Sequence, residues 1–224
     1  MKIGIFGDIH GFVPHTSIMQ IDFFKELCDS LDTDLNLQVG DMSHYRSLAK
    51  MVYWIYGNND SLTAIREIES GTRDIKNLRN IKTAEVLTFT KENEVITVSG
   101  LNGAYEFIYY PKKRSEMVGE DLGRFFVQED VEQCLHLRNI DIFLVHGCPA
   151  GLGFGREPDH GVPAIREILD HVKPAFMFCG HAHFFKEVEY NGTRIYSLKM
   201  VGEEYYILDT KTGVLEQIKS EPKH

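Results

Sequence analysis

No stretch of this 224-residue chain approaches the roughly 18 uninterrupted apolar residues that a membrane span requires. The opening Met1-Lys2-Ile3-Gly4-Ile5-Phe6-Gly7-Asp8 is too short an apolar run for the core of a secretory signal. A soluble, cytoplasmic protein without membrane contact is therefore expected. Excess positive charge is also missing. With 24 Lys+Arg against 33 Asp+Glu the formal charge is −9, so no broad basic field draws nucleic acid or anionic lipid. Nucleic acid is not expected as a partner. An anionic substrate would need a local positive source, and bound metal ions would supply one. Cysteine is sparse, with Cys28, Cys134, Cys148 and Cys179 scattered and no Cys-x-x-Cys pair. They read as buried reduced thiols rather than a disulfide framework. Internal repeats, low-complexity tracts and an interdomain linker are absent as well. At 43% hydrophobic residues the chain can bury a sizeable core, expected as a single domain over 1–224.

What the chain does have is five short polar motifs, each directly after a hydrophobic run. Asp8-Ile9-His10 follows Ile3–Phe6, Gly40-Asp41 follows Leu35–Val39, and Gly57-Asn58-Asn59-Asp60 follows Val52–Tyr56. His146-Gly147 follows Ile142–Val145, and Gly180-His181-Ala182-His183 follows Ala175–Phe178. Read as strands of an α/β sheet, the runs deliver two Asp, four His and one Asn to one edge, where ligands of open α/β sheets bind. So many oxygen and nitrogen donors suit two divalent cations better than one. Each motif alone is weak; their order, their repeated placement after a strand and their glycine neighbours carry the signal.

Helical periodicity appears at Ile21, Phe24, Leu27, Cys28 and Leu31, at Val131, Cys134 and Leu135, and from Val162 to Val172 with Pro163 in the first turn. Strand–helix alternation over the first 70 residues predicts a parallel sheet with right-handed crossovers. Val86–Thr90 and Val95–Ser99 predict a hairpin joined by residues 91–94, and Asn191-Gly192 marks another between Val188–Tyr190 and Arg194–Leu198. The assembly expected is an α/β fold of two mixed β-sheets packed face to face with helices on both outer faces, a four-layer α/β/β/α sandwich. Residues 102–127 fit neither period and read as a long functional or aromatic-anchored loop. Its Lys112-Lys113-Arg114 run reads as a solvated face.

The five motifs in this order resemble the calcineurin-like metallophosphoesterase superfamily, from Asp8 to His183, and in particular its small single-domain bacterial and archaeal members. The resemblance implies that Asp8, His10 and His183 hold one metal ion, that Asn58, His146 and His181 hold a second, and that Asp41 bridges them. It implies two divalent ions, Mn²⁺ first, with Fe, Zn²⁺, Ni²⁺ and Co²⁺ as alternatives that imidazole and carboxylate donors also suit. The activity implied is hydrolysis of a small phosphate ester, a diester ahead of a monoester, by in-line attack of a hydroxide shared between the ions. A catalytically silent scaffold that binds a partner protein and a nuclease of the same superfamily are the competing readings. Assembly into a homo-oligomer is left open.

One position departs from the family's pattern. Residue 59 is Asn, where the family carries a His that protonates the leaving oxygen or holds the phosphate. A positioned general acid is worth roughly 10²–10⁴-fold, and Asn can donate a hydrogen bond but not a proton. Good leaving groups, a substitute acid or lost catalysis would each accommodate it. His160, in the loop before Val162, is the candidate substitute, beside the plain alternative of an exposed loop residue. His44 and Arg46 could reach a phosphate but read as helix-surface residues. His15, His136, His171 and His224 carry no motif and read as structural or surface groups.

Overall fold

The computed structural model describes residues 1–154 and 161–222. Two six-stranded mixed sheets face each other. In the first, β1 (Lys2–Phe6), β2 (Leu35–Gln38), β3 (Val52–Trp54) and β4 (Leu78–Asn80) run parallel. Antiparallel β11 (Glu204–Asp209) and β12 (Val214–Lys219) extend it beyond β1. In the second, β6 (Glu94–Leu101), β7 (Ile142–Val145), β8 (Phe176–Cys179) and β10 (Thr193–Ser197) are parallel. Antiparallel edge strands β5 (Leu87–Lys91) and β9 (Lys186–Tyr190) flank them.

The layer order follows from which face each side chain takes. Ile3, Ile5, Leu35 and Leu37 of the first sheet meet Ile142, Leu144, Phe176 and Phe178 of the second in one shared core. Their strand neighbours point outward. Phe143, Val145, Met177 and Cys179 pack against α4 (Gln128–Leu135) and α5 (Pro163–Val172). Phe6, Val52 and Trp54 pack against α1 (Gln20–Ser30) and α2 (Leu62–Glu69). Helices thus cover both outer faces, and parallel strands buried on two faces explain the unbroken apolar runs. No helix among the described residues is long and apolar enough to cross a membrane.

Local chemistry sets several ends. α5 starts with Pro163 in its first turn and stops at Lys173, which adopts a left-handed φ of 50°. Asn191 and Gly192, with φ of 50° and 83°, close the β9–β10 hairpin in the primed-turn geometry expected of Asn-Gly. The β5–β6 turn is shorter than its sequence suggests, because Lys91 pairs with Glu94 and leaves only Glu92-Asn93 between the strands. All four cysteines are free and buried.

Two expectations change. The β2–β3 connection contains no helix, so His44 and Arg46 lie in irregular chain; Arg46 is tied to Asp22 at 3.1 Å. The backbone N–H groups that would open a helix there are bound by a carboxylate instead, as shown below. The 102–127 segment is more ordered than its composition implies, with a 3₁₀ turn at Arg114–Glu116 and a short helix, α3 (Gly119–Gly123). Ala104 N–H donates to the Arg124 carbonyl at 2.9 Å and Phe126 N–H to the Ala104 carbonyl at 3.1 Å, closing the loop on itself. Arg114 is drawn inward onto Asp130, which removes it from the basic run.

Candidate metal centre

Every motif sits where its strand ends, and both sheets present those ends to one place. β1 delivers Asp8 and His10, β2 Asp41, and β3 Asn58, while β7 delivers His146 and β8 His181 and His183. Ser61 fixes the exit from the third motif by capping α2, its hydroxyl accepting from Ala64 N–H at 3.2 Å.

The donors fall into two groups with room for an ion each. Asp8, His10 and His183 form one; Asp41, His146 and His181 form the other. In the first, His183 Nε2 lies 2.7 Å from Asp8 Oδ2 and 3.2 Å from His10 Nε2. In the second, His146 Nε2 lies 3.2 Å from Asp41 Oδ2 and 3.3 Å from Asn58 Oδ1. Neighbouring donors around an ion with bonds near 2.1 Å stand about 3.0–3.4 Å apart, so the spacings of 3.2 and 3.3 Å fit coordination, while His183 and Asp8 stand at hydrogen-bond distance. Asp41 Oδ2 is also 3.9 Å from His10 Nε2, which places one carboxylate oxygen beside both groups.

The electrostatics fit cation binding as well. Burial disfavours charge on His146, but the Asp41 and Asp8 carboxylates outweigh it and raise the imidazole to about 9. Burial pushes Asp41 the other way from its partners, yet His146 and the Asn59 donors win and hold its carboxyl well below the usual range. A carboxylate hydrogen bond raises His183, whereas burial and the His146 charge lower His181. His146 Nδ1–H donates to the Val39 carbonyl at 3.0 Å, leaving Nε2 as the atom available to a metal.

Proton and metal therefore compete for His146 Nε2. Its folded value of about 9 lies above the free value of 6.5, so the metal-free fold draws stability from that proton below 6.5. That stability is lost as pH rises through the folded value. Metal binding releases the proton, so Mn²⁺ affinity should climb roughly tenfold per pH unit between pH 7 and 9. Calorimetric titration of chelated protein at several pH values checks this, and a flat profile refutes the competition.

The residue that organises the loops has no role that its motif alone discloses. Asp60 is buried and accepts from the N–H groups of Asp41 (2.8 Å), Met42 (3.0 Å), Ser43 (3.0 Å) and Gly57 (2.9 Å) and from Tyr45 Oη–H (3.1 Å). Burial pushes its carboxyl up to about 6, with the N–H donors restraining the rise. This carboxylate replaces the helix expected after β2: it takes the N–H groups and ties the Asp41 loop to the Asn58 loop. Gln38 does related work, its amide donating to the Gly7 carbonyl and its carbonyl accepting from Gly40 N–H, both at 3.0 Å. Arg124 reaches across from the 102–127 segment, Nη1 donating to the Asn58 carbonyl at 2.8 Å.

Asn59 faces the centre in an unforeseen way. Its backbone N–H donates to Asp41 Oδ1 and its side-chain amide to Asp41 Oδ2, each at 2.7 Å. Both oxygens of Asp41 are thus fixed by one residue. His160, the candidate substitute acid, lies outside the described residues.

Backbone geometry shows how tightly the loops are built. Asp41, His181 and His183 hold left-handed φ of 59°, 65° and 55°, an arrangement costing roughly 1–3 kcal/mol each that clusters at functional sites. A Cβ on Gly57 would lie 2.6 Å from His146 Nε2 and would overlap Asp41, so only glycine permits both donors to close on this point.

The sequence profile of the calcineurin-like phosphoesterase superfamily domain matches residues 1–201, and the chain belongs to that superfamily of phosphoester hydrolases. No curated protein sequence matches the chain. Among solved structures it is similar to TT1561 of Thermus thermophilus, at 14% identity over 97% of this chain and 98% of that one, with a TM-score of 0.68. GAP50, the anchor in the inner membrane complex of Plasmodium, shares 11% identity over 100% of this chain and 90% of its own, with a TM-score of 0.56. Phosphopantetheinyl hydrolase from Mycobacterium tuberculosis shares 12% identity over 100% and 97%, with a TM-score of 0.50. At these identities the structural likenesses speak for the fold.

Proposed function

We propose that the chain is a cytoplasmic, two-metal phosphodiesterase acting on a small phosphate ester. The observation that carries the reading is the position of Asp41 Oδ2, 3.2 Å from His146 Nε2 and 3.9 Å from His10 Nε2, between two donor groups. Asp8, His10 and His183 would hold one ion, Asn58, His146 and His181 the other, and Asp41 both. When bound, a pair of divalent ions lowers the pKa of a water and neutralises charge on the phosphoryl oxygens. Mn²⁺ is the metal proposed first, with Fe and Zn²⁺ also suited to the mixed carboxylate and imidazole donors.

The protein's part is orientation. His146 keeps Nε2 free through its bond to Val39, and Asn59 holds Asp41 by both oxygens. An amide at position 59 delivers no proton to a leaving oxygen, so esters of acidic alcohols are favoured. The competing reading is a catalytically silent scaffold, and the seven ligand positions, all of which keep donor residues, argue against it. Asn59→His is expected to raise kcat/KM on alkyl phosphomonoesters about tenfold or more and to change aryl diesters little. Steady-state kinetics on both substrate types test this; no gain on any monoester contradicts the role given to position 59.

A further inference from the structure

A cavity of about 300 Å³ reaches His146 and His181, and beside it, sharing Tyr105, lies an open depression of about 450 Å³. Asn58 and His181, both implied ligands of the second ion, stand on the wall of this depression with Arg124. Three hydrogen bonds fix the Arg124 guanidinium. Nε donates to the Glu120 carbonyl at 3.0 Å, Nη1 to the Asn58 carbonyl at 2.8 Å, and Nη2 to Asp121 Oδ1 at 2.8 Å. A guanidinium carries five N–H donors in a planar fork, so one N–H on each Nη atom is not used by these bonds. The Asp121 side chain is 92% exposed, so water screens its pairing and leaves the charge on Arg124 largely uncompensated.

The Asn58 carbonyl belongs to the peptide that joins Asn58 to Asn59. The N–H of that same peptide donates to Asp41 Oδ1 at 2.7 Å. A single peptide unit therefore separates the guanidinium from the carboxylate between the two donor groups. Asn59 is the position without a proton donor, and its side-chain amide is turned onto Asp41 Oδ2. A fixed cation thus stands next to the place where an acid is missing. Glu106 and Asp121 line the same depression and repel an arm with its own negative charge, so the arm that fits there is neutral.

We infer that the leaving arm of the substrate lies in this depression and that Arg124 stabilises its oxygen. As the ester P–O bond breaks, its electron pair stays on the leaving oxygen, and an unused N–H of the fork bonds that oxygen. The guanidinium keeps its proton, and water protonates the departed group afterwards. The inference rests on the phosphodiesterase reading. A contact that strengthens as charge develops acts on kcat more than on KM, and it matters most for the most basic leaving groups.

The test uses Mn²⁺-loaded protein and methyl aryl phosphates whose leaving groups run from 2,4-dinitrophenol to phenol. Arg124→Met should cut kcat about 10²-fold on the phenyl ester, and progressively less as the phenol becomes more acidic, with KM nearly unchanged. The variant should keep its Mn²⁺ and bind inorganic phosphate in calorimetry as wild type does, because phosphate has no leaving arm. Arg124→Lys, which restores a cation without the fork, should recover part of the activity on the phenyl ester. If Arg124→Met loses metal, Arg124→Lys carries the same comparison against wild type. An equal loss on every ester, no loss on any, or lost Mn²⁺ in both variants would reduce Arg124 to a support for Asn58 and overturn the inference. No turnover of any ester by the wild-type protein would overturn the phosphodiesterase reading itself.

Discussion

Asp41→Asn is expected to cut hydrolysis of an aryl phosphodiester by at least about 10³-fold, to near background. The substitution is nearly isosteric, and its remaining carbonyl can still accept from Asn59 N–H, so the fold should survive. What disappears is the negative charge that lies between His146 and His10, at 3.2 and 3.9 Å. A neutral amide cannot balance two cations at that point, and His146 loses the partner that raises it. Steady-state kinetics with metal analysis of the purified variant would check both consequences. Activity within tenfold of wild type would remove Asp41 from the bridging position.

Asp60→Ala should have the largest effect on stability. It deletes the acceptor shared by the N–H groups of Asp41, Met42, Ser43 and Gly57 and the Tyr45 hydroxyl. Each orphaned buried donor costs about 1–3 kcal/mol, partly recovered by water entering the space. A net loss of about 3–5 kcal/mol follows, which for a chain of this size lowers Tm by roughly 10 °C. Thermal and urea unfolding of the metal-free proteins would measure it, without interference from ion binding. A change below about 1 kcal/mol would mean that Asp60 does not organise these loops.

These two aspartates differ in how far the sequence revealed them. Asp41 was legible because it belongs to a series of donors that each follow a buried strand. Parallel strands covered on both faces leave apolar runs that are hard to miss, and the polar residue after each run marks the sheet edge. Asp60 stands in the same motif as Asn58, but most of its work lies in backbone donors 17 to 19 positions away and a tyrosine hydroxyl 15 away. Arg124 is further removed still, 66 positions from the Asn58 carbonyl it holds. Neither contact leaves a periodicity or spacing to read. The missing β2–β3 crossover helix has the same origin, since Asp60 binds the N–H groups with which a helix would have begun. Asn59 was legible as a departure from the family's pattern, while its double hydrogen bond to Asp41 emerges only when the two loops are brought together.

The layered fold was readable because its causes are local: apolar runs, Asn191-Gly192, and Pro163 at the start of α5. The order within the 102–127 segment was not, because it depends on Ala104, Arg124 and Phe126 pairing across a loop. The cavity beside His146 and His181 likewise draws its walls from distant segments, with Tyr105, Phe154 and Phe184 far apart in the chain.

Everything proposed for the centre depends on two ions acting together at one carboxylate. Metal content against activity reads this out, as chelated protein is reloaded with Mn²⁺ and assayed on bis(4-nitrophenyl) phosphate. Two ions per chain are expected at saturation, with no turnover in the chelated protein and activity that appears as the second ion binds. Full activity with one ion per chain, or turnover that survives chelation, would refute the bridging role of Asp41.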